Sequence, residues 1–145
     1  MTPERDLPLM KRSTCEALVI SCSDFRFKDA EHELEIVYRN DYDLIARPGG
    51  ARMLVAPRNP ASGTSAWEEV ALLHGIHKFR RVVLLNHLSC RAYDDIATPE
   101  TERDVHRAHL REAIAAVESA FPVQVEAHLI TLVEDGSFEQ IDVER

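Results

Sequence analysis

The sequence predicts an α/β domain: three layers, with a mostly parallel central β-sheet of about four or five strands flanked by helices. Three observations predict it. Short apolar runs rich in β-branched residues alternate along the chain with stretches of helical periodicity. Gly, Pro and Asp-Gly signals separate the two kinds of segment. The 145 residues, 45% of them hydrophobic, suffice for one buried core without disulfide staples. Residues 1–145 are therefore expected to form a single domain, with 1–15 as a polar N-terminal arm or short helix.

The elements follow in order. Ala17-Leu18-Val19-Ile20-Ser21 is a continuous apolar run, as in a strand buried on both faces. From Lys28 to Arg39, Ala30, Leu34 and Val37 recur at helical spacing with acids between them. Tyr42 to Ala46 reads as a second strand, stopped by Pro48-Gly49-Gly50. Residues 52–63 read as an irregular stretch, a flap or a subunit contact. Thr64 to Phe79 carries a strong helical pattern through Trp67, Val70, Ala71, Leu73 and His74, with Glu68 and Glu69 early, where the helix dipole favours acids. Arg81 to Asn86 is the clearest buried strand. A helix is expected over 100–120, ended by Pro122, and a last strand over 123–133. Asp135-Gly136 then predicts a turn, after which the tail can pair briefly.

Composition narrows the function. A formal net charge of -8 argues against a sequence-independent nucleic-acid binder or a module for anionic membranes. No apolar run approaches the ~20 residues of a membrane helix. The opening residues have no apolar stretch between their charges, so they are not expected to act as a secretory signal, and a cytoplasmic location is the expectation. Three cysteines, Cys15, Cys22 and Cys90, do not make a disulfide framework.

Ligands in doubly wound sheets sit beyond the carboxyl ends of strands, where strand order reverses. Cys22 directly follows the first strand, Arg47 to Gly50 follow the second, and His87 and Cys90 follow the strand at 81–86. Residues far apart in sequence thus converge on one sheet edge. Thiolate and imidazole are zinc ligands, and a catalytic zinc takes three protein ligands and leaves a fourth position open. Asp24 is a possible fourth ligand or a partner that orients one. Each residue alone has a plainer reading: a lone cysteine after a strand is more often core than ligand, and Asp24 with Arg26 alone reads as a surface ion pair. Cys15 lacks such neighbours and is expected to be structural. His74 and His77, like His106 and His109, lie three apart on helices, where function is the less common outcome. His32 and His128 read as ordinary too.

Ser21-Cys22-Ser23-Asp24-Phe25-Arg26 resembles the C-x-D-x-R signature of β-class carbonic anhydrases, and His87-Leu88-Ser89-Cys90 resembles their H-x-x-C. Ala46-Arg47-Pro48-Gly49-Gly50, between them, resembles the family's R-N-A-G segment. The likeness spans roughly residues 15–135, with its specificity in about ten positions. It implies zinc held by Cys22, His87 and Cys90. It implies a catalytic dyad of Asp24 and Arg26, with Asp24 a conditional fourth metal ligand, and substrate contacts at Gly49 and Gly50. The implied activity is interconversion of CO2 and bicarbonate in a homodimer or higher homo-oligomer. The alternatives on the same fold are carbon disulfide or carbonyl sulfide hydrolysis, or a zinc-binding homologue without catalysis. A metal-free module with three unrelated thiols is a weaker option.

The sequence also departs from the family. Arg91 stands where Gly usually follows the second cysteine, so it either alters the loop, sets a cation beside the pocket, or points to solvent. Pro48 replaces Asn and removes a backbone N–H. Phe25 stands where small residues are common and either narrows the pocket or packs. The long N-terminal helices and the cleft glutamine of many members have no counterpart before the first strand.

Overall fold

A computed structural model describes residues 4–28, 32–33, 37–133 and 138–143. Its sheet has strand order β2-β1-β3-β4-β5. The strands are β1 (Ala17–Ser21), β2 (Tyr42–Ala46), β3 (Arg81–His87), β4 (Gln124–Leu132) and β5 (Phe138–Asp142). The first four are mutually parallel, and β5 runs antiparallel to β4. The expected α/β architecture is therefore observed, with the tail forming a fifth strand. The Asp135-Gly136 turn lies outside the described residues.

The strand order explains the layers. From β1 the chain steps outward to β2, then returns across β1 to β3 and onward to β4. Right-handed crossovers in opposite directions must lie on opposite faces. The positions Lys28, His32, Glu33, Val37 and Tyr38 are helical, in line with the helix expected over 28–39; Arg39 is instead a turn residue with φ 52°, and positions 29–31 and 34–36 lie outside the described residues. Tyr38 and Tyr42 pack with Val19, Val83, Leu85 and Ile130 on that face. The longer helices α2 (Pro60–His77) and α3 (Glu102–Ala120) cover the other face, where Leu18, Ile20, Val82, Leu84, Val70, Leu110 and Val117 form the main core. Covered on both faces, β1 and β3 are buried nearly throughout, which is why they read as unbroken apolar runs. The edge strand β2 leaves Leu44 48% exposed.

Residues 52–63 are irregular only over 56–59. Arg52–Val55 forms α1, and α2 begins at Pro60, earlier than its apolar periodicity indicates. Asn59 caps α2 by accepting the Ser62 N–H at 2.9 Å, and Pro60 supplies the preset φ of a first helical position. The helix ends at His77 because Lys78 adopts φ 51°. The N-terminal arm forms two 3-10 turns and is tied down, with Arg12 3.0 Å from Asp41.

Arg52 is a buried cation, 4% exposed, whose guanidinium donates to Asp95 at 2.6 and 2.8 Å and to the Ala56 carbonyl at 2.9 Å. The bond to Arg52 holds the Asp95 carboxyl down to about 2. The contribution is fully present above the unfolded carboxylate value of about 4 and is lost as pH falls toward 2. The gap in Tm between wild type and Asp95→Asn is therefore expected to hold from pH 6 to about 5 and to narrow from there to pH 2 in a thermal scan.

Candidate metal centre

The order reversal between β1 and β3 opens a crevice at their carboxyl ends, and the chemistry collects there. Cys22 directly follows β1, His87 is the last residue of β3, and Cys90 follows three residues later. All three are buried. Their ligand atoms all lie within 4.8 Å of one another, so the cluster can hold a metal ion. The sulfurs of Cys22 and Cys90 are 3.9 Å apart and unbonded. A tetrahedral zinc with bonds of about 2.3 Å sets two sulfurs about 3.8 Å apart, so the observed spacing fits that ion. The Nδ1–H of His87 donates to the Leu88 carbonyl at 2.9 Å, which leaves the lone pair on Nε2.

The two thiols titrate as a pair. The Cys90 S–H, with the Gly49 N–H at 3.4 Å, favours a thiolate at Cys22, whose pKa is lowered. That anion and burial in turn raise Cys90. A bound cation would favour the thiolate form of both.

Asp24 stands beside the cluster, Oδ2 3.8 Å from His87 Nε2. Arg26 grips it through Nε to Oδ1 at 3.0 Å and Nη2 to Oδ2 at 2.7 Å. The same Nη2 donates to the Ser89 carbonyl at 2.8 Å, tying the dyad to the loop that carries Cys90. The Arg26 bonds hold the Asp24 carboxyl down to about 2.

Gly49 and Gly50 adopt φ of +88° and +58°. Gly49 spends its N–H on Cys22 Sγ and Gly50 spends its own on the Arg47 carbonyl. A Cβ on Gly50 would stand 2.6 Å from Asn86 Oδ1 and 2.9 Å from the Leu85 carbonyl. Gly50→Ala is therefore expected to cost about 2–5 kcal/mol, from overpacking plus left-handed strain, measured by urea denaturation. The neighbouring Arg47 turns to Glu69 at 2.6 Å.

The departures from the family pattern resolve in place. Arg91 is 92% exposed at its side chain, with Nε 3.6 Å from Asp94, so it points to solvent and brings no cation to the cysteines. The left-handed residue of this loop is Ser89, φ 57°, not position 91. Phe25 is 76% exposed, neither packed nor narrowing a pocket.

Sequence reasoning missed the support behind the cluster. Glu102, in the first turn of α3, accepts the backbone N–H of Ser89 at 3.0 Å and of Cys90 at 2.9 Å. Its Oε2 also accepts the Nε2–H of fully buried His106 at 3.0 Å. Asn86 donates through Nδ2 to His106 Nδ1 at 3.0 Å and to Tyr93 Oη at 3.1 Å, and accepts the Ala51 N–H at 3.0 Å. Tyr93 then donates to His109 Nδ1 at 2.9 Å. This order of donors makes His106 a neutral Nε2–H tautomer, and burial lowers its basicity in the same sense. The Glu102–His106 pair at i,i+4 was the one available signal, and it reads equally as an ordinary helix pair.

Cys15 is not without metal-ligating neighbours, contrary to expectation. Asp43 and His77 surround it at the opposite end of the strands.

No protein-family model matches the sequence. It is similar to an uncharacterized protein of Rickettsia bellii, 28% identical over 132 residues, covering 86% of this chain and 80% of that one. An uncharacterized protein of Rickettsia conorii is also 28% identical, covering 86% of this chain and 70% of that one. In structure the chain resembles the β-carbonic anhydrase CafA of Aspergillus fumigatus, with TM-score 0.55 and 16% identity over 94% of this chain and 80% of that one. It also resembles a β-carbonic anhydrase of Trichomonas vaginalis, with TM-score 0.50 and 12% identity over 97% and 90%. At such identities the likeness establishes a β-carbonic-anhydrase-like fold. Among the described residues no helix is long and apolar enough to cross a membrane.

Proposed function

We propose that this chain is a zinc-dependent carbonic anhydrase of the β type, interconverting CO2 and bicarbonate. One observation carries the reading: two cysteines and a histidine from separate strand ends meet beside a carboxylate that an arginine holds in place. The shared fold with two β-carbonic anhydrases supports it. Cys22, His87 and Cys90 would hold the ion, a donor set suited to zinc. When bound, zinc supplies the Lewis acidity that brings the pKa of water toward neutrality.

The rest is the work of the chain. Asp24, with both oxygens engaged by Arg26, is too weak a base to take a proton at neutral pH. It accepts a hydrogen bond from the attacking water and aims its lone pair at the substrate carbon. Arg26 fixes that acceptor against the Ser89 loop. Asp24 becomes a metal ligand only in a state that leaves Arg26. Gly49 and Gly50, with their N–H groups already engaged, bound the substrate space by shape. As part of the same proposal, residues 1–145 form one domain acting in the cytoplasm on a small-molecule substrate, as a homodimer or higher homo-oligomer. The half-exposed Leu44 on edge strand β2 offers apolar surface to a second copy.

The test is stopped-flow CO2 hydration on protein of verified zinc content, from pH 6.5 to 9, beside Cys22→Ser. Zinc-dependent hydration that disappears with the zinc in Cys22→Ser is the expected result. Stoichiometric zinc with no hydration at any pH would overturn the carbonic anhydrase reading. Sulfide release from carbon disulfide or carbonyl sulfide would then mark a hydrolase.

A further inference from the structure

Cys15, Asp43 and His77 come from three places: the residue pair before β1, the second position of β2 and the last residue of α2. Their ligand atoms all lie within 4.8 Å of one another. Asp43 is the hub, with Oδ2 2.7 Å from His77 Nδ1 and 3.7 Å from Cys15 Sγ. Cys15 Sγ also lies 3.4 Å from the Ala17 carbonyl.

The backbone holds this grouping in place. The Cys15 N–H donates to the His77 carbonyl at 3.1 Å, so the histidine and the cysteine are joined by main chain before their side chains meet. Asp43 is fixed through β2, where it stands opposite Leu18 of β1. Cys15 is half-buried, and the side chains of Asp43 and His77 are 19% and 38% exposed, so an ion can enter from solvent. Thiolate, imidazole and carboxylate are together the donor set of borderline-soft divalent ions, zinc foremost.

We propose that Cys15, Asp43 and His77 form a second divalent-cation site of the zinc class, separate from the Cys22 cluster. The two sites share no residue. Cys15 and Cys22 flank β1, which places them on the order of 20 Å apart at a strand rise of about 3.3 Å per residue. Without an ion, hydrogens bridge these groups, and burial with the adjacent Asp43 charge pushes the Cys15 thiol up to about 12. A bound cation takes the place of those hydrogens and is itself the charge the carboxylate lacks. It also joins the start of β1, the start of β2 and the end of α2, so occupancy stabilises the fold by mass action.

The experiment is a Co2+ titration of chelator-stripped full-length protein, read by metal stoichiometry and by thiolate-to-cobalt absorption, with thermal scans alongside. Wild type is expected to take up two ions and Cys15→Ser one, with CO2 hydration unchanged. His77→Gln is expected to weaken the second ion by at least about tenfold. Cys22→Ser/Cys90→Ser, folded by circular dichroism, should still bind one ion with single-thiolate absorption and a raised Tm. If that variant does not fold, the comparison of wild type with Cys15→Ser decides alone. An unchanged stoichiometry in Cys15→Ser overturns the site, whatever becomes of the Cys22 cluster. Loss of the Cys22 ion with the Cys15 ion retained overturns the proposed enzyme instead.

Discussion

Asp24→Ala is expected to keep stoichiometric zinc and to lose CO2 hydration by about a hundredfold or more in kcat. Asp24 belongs to the short turn after β1, which Arg26 anchors to the Ser89 carbonyl, and it contributes no backbone support to Cys22, His87 or Cys90. Removing its side chain therefore leaves the three buried ligands in place. What disappears is the fixed acceptor beside them, and Arg26 loses its bidentate partner. Arg26→Ala is expected to give a milder kinetic loss, because the carboxylate remains but is no longer held. Metal analysis with stopped-flow hydration checks both. Turnover unchanged in Asp24→Ala would remove Asp24 from the mechanism, and zinc lost along with turnover would make it a ligand.

The strands were legible because β1 and β3 are covered on both faces, and burial on both faces leaves a continuous β-branched run in the sequence. Their order then put Cys22 and His87 at the switch point, so the ligands were legible from placement as well as from motif. What was not legible depends on contacts distant in the chain. Arg52 looks like an exposed loop residue until Asp95, 43 residues on, comes to meet it. Four residues of α1 are too few to show a helical period. Cys15 looked isolated because Asp43 and His77 reach it only through the β1–β2 pairing and the end of α2. Glu102 looked like a first-turn acid complementing the helix dipole, and its three donors cannot be read from its neighbours in sequence.

Glu102→Ala is the substitution outside the ligand set expected to do most damage. It leaves the Ser89 and Cys90 N–H groups and the His106 Nε2–H without their acceptor. Ser89 is exposed, but an unsatisfied donor at buried Cys90 or His106 costs about 1–3 kcal/mol. A total loss of about 3–5 kcal/mol in unfolding free energy is expected, since water can reach part of the loop. The metal should suffer separately. Ser89 holds φ 57° without being glycine, and the Glu102 bonds on either side of its peptide oppose the relaxation of that strain. Once released, the loop lets Cys90 drift from Cys22, and zinc affinity falls by about 10–100-fold. Glu102→Gln separates the two effects. Its amide oxygen, in the place of Oε2, still accepts the Cys90 N–H and the His106 Nε2–H, whereas the negative charge is gone and the NH2 in the place of Oε1 no longer accepts the Ser89 N–H. Zinc affinity near wild type in Glu102→Gln, with a large loss in Glu102→Ala, assigns the effect to loop geometry. Equal losses in both would assign it to the carboxylate's charge together with its bond to the Ser89 N–H. Competition with a chromogenic chelator, at a temperature where both variants are folded, reads the difference directly.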